Sequence, residues 1–205
     1  MIIYFSGPHG AGKSSLISGV CEYSPDFIAY LDRLKFCHME EPRIRHKSKI
    51  AKLYQEYCDQ QNFKKENPGK IILGDRCMYD SMVYGRVYER LGYLTKQENK
   101  LHEEITLKWF DEKPEHLIVL NPPLECLVDH LRKRWESGKK KWHEEDMKYL
   151  NIAREEFEKL PEYFAGRNIL YIDEDLPIGQ EVNRVVDWIK EKKIIKEKVL
   201  EEILV

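Results

Sequence analysis

The chain has no run that approaches the roughly 18 apolar residues a membrane-spanning helix requires. Cysteine is scarce and unpatterned. Cys21, Cys37, Cys58, Cys77 and Cys126 stand singly, with no C-x-x-C pair, which argues against a disulfide framework and a zinc ribbon. They read instead as small buried hydrophobes or free thiols of a reducing compartment. The seven histidines show no metal-ligand spacing, so no zinc site is assigned. A dominant sign of charge is also missing. With 34 basic and 36 acidic residues the formal net charge is −2, which gives no global pull toward nucleic acid or an anionic membrane. Any basic function must therefore be local. The chain runs at once into a strand-like segment, leaving no room for a signal peptide, so a cytoplasmic location is expected. There is no internal repeat, low-complexity tract or convincing linker.

Charge as such is plentiful. Lys, Arg, Asp and Glu make up 34% of the residues, above the roughly 25% usual for soluble domains. That leans toward surface ion-pair networks of the kind used in heat-adapted proteins. Hydrophobic residues at 42% suffice for one core, and 205 residues suit a single domain spanning 1–205.

The most informative stretch is the first. Met1-Ile2-Ile3-Tyr4-Phe5-Ser6 is a short apolar run rich in β-branched and aromatic residues, the mark of a buried strand. Gly7-Pro8-His9-Gly10-Ala11-Gly12-Lys13-Ser14 follows directly and fits G-x-x-x-x-G-K-S; Ser15-Leu16-Ile17 then opens a helix. Strand, glycine-rich loop and helix stand in the order a phosphate-binding loop requires. Gly7, Gly10 and Gly12 lack Cβ, so the backbone can turn several N–H groups into one cavity, aided by the positive end of the helix. Lys13 is placed to reach the β/γ-phosphates and the Ser14 hydroxyl to join a Mg²⁺ shell. The pattern implies a nucleoside triphosphate site.

Further strands are expected at 27–31, 71–74, 117–120 and 169–172, alternating with helical patterns. One long helix carries Ile50, Ala51, Tyr54, Tyr57, Cys58 and Gln61 as its buried stripe and stops at Asn67-Pro68-Gly69. Another covers about 142–160, and the last starts near Gly179. Alternation of this kind implies an α/β fold, a five-stranded parallel sheet with helices on both faces. Ligands then bind beyond the C-terminal strand ends, where the phosphate loop, Asp32, Asp75-Arg76, Asn121 and Asp173 fall. The tail at about 190–205 has a helix-like apolar stripe, suited to packing on its own domain or to a homodimer contact.

The chain lacks the N-K-x-D by which switch GTPases read guanine, and its third strand ends in Asp75-Arg76 rather than an acidic pair. A carboxylate beside a guanidinium suits transfer to a second substrate: the acid holds Mg²⁺ while the guanidinium grips a phosphate. Here the sequence resembles the thymidylate kinases. Asp75-Arg76-Cys77-Met78-Tyr79-Asp80-Ser81-Met82-Val83-Tyr84 is similar to their D-R-[YFHC]-x-x-S-[ST]-x-A-Y, and Gly10-Ala11-Gly12-Lys13-Ser14-Ser15 to their G-A-G-K-[ST]-[ST]. Lys113-Pro114-Glu115-His116-Leu117 through Leu120-Asn121-Pro122-Pro123-Leu124-Glu125, and Tyr171-Ile172-Asp173, resemble later passages of that family. Glu41-Pro42 is shared with the related deoxyribonucleoside kinases, and Tyr54-Gln55-Glu56-Tyr57 looks like the F-Q-x-Y of the latter. Four features depart from thymidylate kinases. His9 stands at an acidic position, Asp80 replaces Ser, Gly85 replaces Gln, and the long helix lacks an Arg to read thymine.

The resemblance implies a P-loop kinase fold with a helical lid and ATP- and Mg-dependent phosphoryl transfer to a nucleoside monophosphate, a deoxynucleotide such as dTMP, in nucleotide biosynthesis. The alternative is a deoxyribonucleoside kinase acting on a 5′-hydroxyl; of another class, a non-catalytic ATP-binding regulatory module. A polynucleotide-end kinase would need nucleic-acid binding that the charge balance does not suggest. The phosphate loop Gly7, Pro8, His9, Gly10, Ala11, Gly12, Lys13, Ser14 and Ser15 would bind ATP, and Ser14 and Asp75 would hold Mg²⁺. Arg76 would grip the acceptor. Glu41 is the expected acceptor-site carboxylate, with Asp32 and Glu40 competing for the role, and Tyr54, Gln55 and Tyr84 are placed to stack on or read the acceptor base. Asp80 and Ser81 could serve simply as helix caps. The densest basic cluster, Arg132, Lys133, Arg134 and Lys139 to Lys141, is read as a lid at about 132–146. The phosphate loop has no Arg of its own, so Arg132 or Arg134 would close on the transferring phosphoryl group.

Overall fold

A computed structural model describes residues 1–31, 41–109, 114–138, 144–164, 168–192 and 194. Five strands, β1 (Ile2–Ser6), β2 (Phe27–Tyr30), β3 (Ile71–Asp75), β4 (His116–Leu120) and β5 (Asn168–Ile172), form one parallel sheet in the order β2-β3-β1-β4-β5. The helices are α1 (Lys13–Tyr23), α2 (Pro42–Glu66), α3 (Met78–Arg90), α4 (Lys96–Trp109), α5 (Leu124–Glu136), α6 (Met147–Glu158) and α7 (Ile178–Glu191).

Period-two alternation along β1 explains the layering. Ile3 and Phe5 point to the side covered by α1 and α7, where they meet Leu16, Ile17, Val20, Val185, Val186 and Ile189. Ile2 and Tyr4 point to the other side, with α3 and α6, against Val83, Val87, Ala153 and Phe157. All five residues of β4 are buried, as expected of a strand covered on both faces. Each large apolar side chain so enclosed contributes roughly 1.5–3 kcal/mol. β1 is central, and its register sets Phe5 opposite Asp75 of β3 and Ser6 opposite Val119 of β4. The phosphate loop, Asp75-Arg76 and the β4 turn therefore emerge side by side at one sheet edge.

The α/β fold with a five-stranded parallel sheet and helices on both faces is as expected. Two local expectations need correction. The inward stripe of α2 is Leu53, Tyr57, Gln60 and Phe63, not the set containing Ala51 and Tyr54, which are exposed. The helix expected over 142–160 begins at Met147, because the Asp146 carboxylate caps it by accepting from the Lys148 N–H (2.9 Å) and the Tyr149 N–H (3.1 Å). It ends at Glu158, before a 3₁₀ turn over Leu160–Phe164. Asp32 and Glu40, Lys139 to Trp142 of the basic cluster, and 195–205 of the tail lie outside the described residues.

Candidate functional site

The loop between β1 and α1 is shaped by close approach. Gly7 has φ +145°, and a Cβ there would lie 2.1 Å from the Leu120 carbonyl oxygen, so the loop can leave the sheet only where no side chain exists. Gly10, at φ +84°, is hemmed in less tightly: a Cβ there would lie 2.9 Å from the Leu127 carbonyl oxygen and from the Leu131 side chain. Gly12 is the N-cap of α1, also at φ +84°; it supplies no capping side chain, and the first turn of α1 carries no acid. The positive end of the helix thus faces the cavity without an acid of its own first turn against it. The Lys13 ammonium is folded back over the loop, donating to the carbonyls of Gly7 and Pro8 at 2.9 Å each.

A cavity of about 1080 Å³ opens over this loop. His9 to Ser15 line its middle. Asp75, Arg76, Ser81, Tyr84, Tyr149 and, from α2, Lys52, Leu53 and Glu56 line one end. His130, Lys133, Asp175, Leu176, Ile178 and Glu181 line the other.

Arg76 is the one non-glycine residue among those described with positive φ, +76°, a backbone strain that the surroundings must hold in place. Its N–H donates to the Phe5 carbonyl (2.9 Å), and its Nη1 donates to Asp80 Oδ1 (3.0 Å) and, more weakly, to the Gly7 carbonyl (3.4 Å). The guanidinium carbon lies 5.1 Å from the centre of the Tyr84 ring. Burial opposes the charge on Arg76, but Tyr84, Asp80 and Asp75 outweigh it and hold the guanidinium more firmly protonated than usual. The same enclosure pushes the Tyr84 phenol up to about 12, against the lowering effect of Arg76.

Asp80 joins these parts. Only 2% exposed, it accepts from Ser6 Oγ (2.5 Å), from the Cys77 N–H (3.0 Å) and from Arg76. It does cap α3, as expected, and the same carboxylate also ties the last residue of β1 to the guanidinium. At the sequence level it is visible only as a departure from a Ser.

The predicted site residues divide clearly. Lys13, Ser14, Ser15, Asp75, Arg76, Tyr84 and Arg134 all line the cavity, together with His9 and Gly10 to Gly12. Arg134 pairs with the fully buried Glu144, which also lies 3.5 Å from Nδ1 of His9. Arg132 is elsewhere: it is exposed and pairs with Asp129 at 3.4 Å. Glu41 is exposed and caps α2, accepting from the Arg43 and Ile44 N–H groups at 3.1 and 2.6 Å, and is not part of the cavity wall. Tyr54 (46% exposed) and Gln55, which donates to Asp59 at 2.9 Å, lie on the outer side of α2. The pitch of 100° per residue turns them out where Leu53 and Glu56 turn in. The α2 residues of the cavity wall that the sequence does not single out are Lys52, Leu53 and Glu56; the period running through Tyr57 and Gln60 is the signal that could find them.

Asp75 Oδ1 is buried and has no hydrogen-bond partner, while Ser14 faces the same space. Two hard oxygen ligands suit Mg²⁺, which keeps several waters and takes the rest of its shell from substrate phosphates. Among the described residues no three His, Cys, Asp or Glu form a metal cage. No described helix is long and apolar enough to cross a membrane.

No family model matches the chain, and no curated protein matches it by sequence. Solved structures do match it. The deoxyadenosine kinase from M. mycoides with bound dATP is similar over 93% of this chain and 100% of that one, with TM-score 0.72 and 13% identity. The same kinase with bound dCTP gives TM-score 0.65 at 13% identity over the same shares. With the products dCMP and a flexible dCDP bound it gives 0.67 at 12% identity, over 94% of this chain and all of that one. At such identity the likeness is one of fold: this chain has the α/β fold of P-loop deoxyribonucleoside kinases.

Proposed function

We propose that this chain is a kinase that moves the γ-phosphoryl group of ATP onto a nucleoside, at its 5′-hydroxyl. The observation that carries the reading is the single cavity in which the phosphate loop stands between two walls, with Asp75 and Arg76 at the start of one of them. Phosphoryl transfer asks a protein mainly to align two ligands and balance charge. The loop N–H groups and Lys13 hold the triphosphate, and Arg76, fixed by Asp80, meets the group in transfer. Ser14 and Asp75 would hold Mg²⁺, which supplies charge neutralisation between the β- and γ-phosphates when bound. The proton of the acceptor hydroxyl leaves to Glu56, the carboxylate on the acceptor wall that is not committed to Mg²⁺.

The charges favour a neutral acceptor. Arg76 is already paired with Asp80, Lys52 with Glu56 at 3.3 Å, and Arg134 with Glu144. A dianionic acceptor would meet cations whose charge is already partly offset by these carboxylates, whereas a hydroxyl needs none of it. The fold shared with deoxyadenosine kinases supports the same choice. A monophosphate acceptor such as dTMP is the second reading, favoured by the Arg76 guanidinium itself, which is suited to bidentate phosphate contact.

A panel of ribo- and deoxyribonucleosides and their monophosphates, incubated with labelled ATP and Mg²⁺, tests this. Phosphorylation of nucleosides, deoxyadenosine among them, is the expected result. Turnover of monophosphates alone moves the assignment to the second reading, and no turnover of any acceptor overturns both.

A further inference from the structure

The end of the cavity away from Arg76 carries a carboxylate that phosphoryl transfer does not use. Glu181, in the first turns of α7, is only 9% exposed and belongs to the cavity wall, and no hydrogen bond or ion pair among the described residues holds it. A buried acid without a partner is costly to keep unless a ligand supplies one. Its neighbours on this wall are His130, whose Nδ1 lies 2.9 Å from the Gly10 carbonyl, and Asp175, 3.7 Å from the other ring nitrogen. His130 thereby ties this wall to the phosphate loop. Leu176 and Ile178 give it an apolar surface, as a flat ring requires.

Direction decides which ligand reaches it. If the phosphate to be transferred lies toward Asp75 and Arg76, the rest of the donor must run the opposite way from the loop, toward α5 and α7. We infer that Glu181 reads the base of the phosphoryl donor, accepting a hydrogen bond from an exocyclic amino group such as N6 of adenine. This rests on the kinase reading only for that direction. Burial pushes the carboxyl up to about 7, with Asp175 adding to the rise and His130 opposing it, as suits a group waiting for a donor in a dry pocket.

ATP and ITP make a clean pair of probes. They are alike in size, but ITP presents an oxygen where ATP presents an amino group, so it sets an acceptor against the carboxylate. A site built to receive a hydrogen bond rejects the analogue that lacks it far more strongly than an apolar pocket could. Competition of each nucleotide with a fluorescent ATP analogue at about pH 8.5, where the carboxyl is ionised and can only accept, read as an equilibrium dissociation constant with no acceptor present, should show ATP bound at least about tenfold more tightly than ITP. In Glu181→Gln the amide can accept from N6 or donate to O6, so the ratio should fall to within about threefold. Glu181→Leu should likewise lose discrimination and keep the fold, since it replaces an unpartnered buried acid with an apolar group. An unchanged ATP-to-ITP ratio in both variants, or a wild-type ratio near one, overturns the inference. Because binding is measured without an acceptor, failure of the kinase reading in the acceptor panel would be seen separately.

Discussion

The middle of the cavity and its α2 wall are built by different means. The phosphate-loop side is a backbone device: glycines at positive φ, the free end of a helix and carbonyls that anchor Lys13. The wall proposed to take the acceptor is a side-chain device, in which Lys52, Leu53 and Glu56 of α2 line the same end as Ser81 and Tyr84 of α3 and Tyr149 of α6. A backbone device tolerates few residue types, because a Cβ at Gly7 would collide with the Leu120 carbonyl whatever the rest of the chain contained. A side-chain device depends on the rotation of each helix about its axis, which no local pattern dictates once both faces carry mixed residues. Substitution should therefore affect the first through catalysis as a whole and the second through the acceptor alone.

The largest effect is expected at Lys13. Its ammonium sits over the loop with two carbonyl partners, at the cavity wall proposed to hold the triphosphate. Lys13→Ala should lower kcat by about 10²–10³, the cost of removing one fixed charge from a transferring group. Circular dichroism and the melting temperature should stay close to wild type, since the glycine turns hold the loop without Lys13. A fall of less than about tenfold would show that the backbone alone supplies this wall.

How far the molecule can be read from its sequence follows the same division. The sheet, its alternation with helices and the phosphate loop were legible because each rests on short-range constraints: period two in Ile2 to Phe5, glycines at fixed offsets, Lys-Ser at the helix start. Asp75-Arg76 was legible as well, because a strand end next to the loop can face little else. The acceptor wall was not. α2 runs 25 residues, and its polar composition leaves two stripes, one through Tyr54 and one through Leu53, nearly equal in apolar content. Packing against Tyr4 and α3 selects the second, and that is a tertiary choice. The dual task of Asp80 was hidden for a related reason. Its role as helix cap lies three residues from Cys77, but its contact with Ser6 spans 74 residues.

A middle-sized effect should separate the two stripes. Leu53→Ala is expected to raise the acceptor KM by roughly tenfold, within the 1–3 kcal/mol that one contact in a binding pocket commonly contributes, and Glu56→Gln, which removes the proposed base, to lower kcat by about 10²; both leave the ATP constant unchanged. Tyr54→Ala and Gln55→Ala, on the outer side of the same helix, should change either constant by less than about twofold. Steady-state kinetics on the four variants decides the point. Larger effects for the outer pair would mean that α2 turns when an acceptor binds, and the wall would then belong to Tyr54 and Gln55 as the sequence resemblance implied.

The smallest expected effect sits at the donor end and appears as a dependence of stability on pH. Burial raises the Glu181 carboxyl from its usual 4.5 to about 7, so the folded chain binds this proton more tightly than the unfolded chain does. Below pH 4.5 both states hold the proton and the folded state keeps the full benefit. Between 4.5 and 7 the unfolded chain has released it while the folded chain has not, and the benefit shrinks as pH rises. Above 7 the folded state carries a buried carboxylate and the benefit is gone. Allowing for screening by water at the open side of the cavity, the swing is about 1–2 kcal/mol. Other carboxylates act in the opposite direction; Glu98, whose bonds to the Thr95 N–H, Arg43 and the Thr95 hydroxyl hold it near 2, gains stability as pH rises through the acid range. The contribution of Glu181 is therefore read as a difference between wild type and Glu181→Gln in urea unfolding at pH 5 and pH 8, where the glutamine variant should gain relative stability at the higher pH. Parallel stabilities at both values would mean that water or an ion already satisfies the carboxyl in the free protein, and the donor wall would then be as fully partnered as the loop beside it.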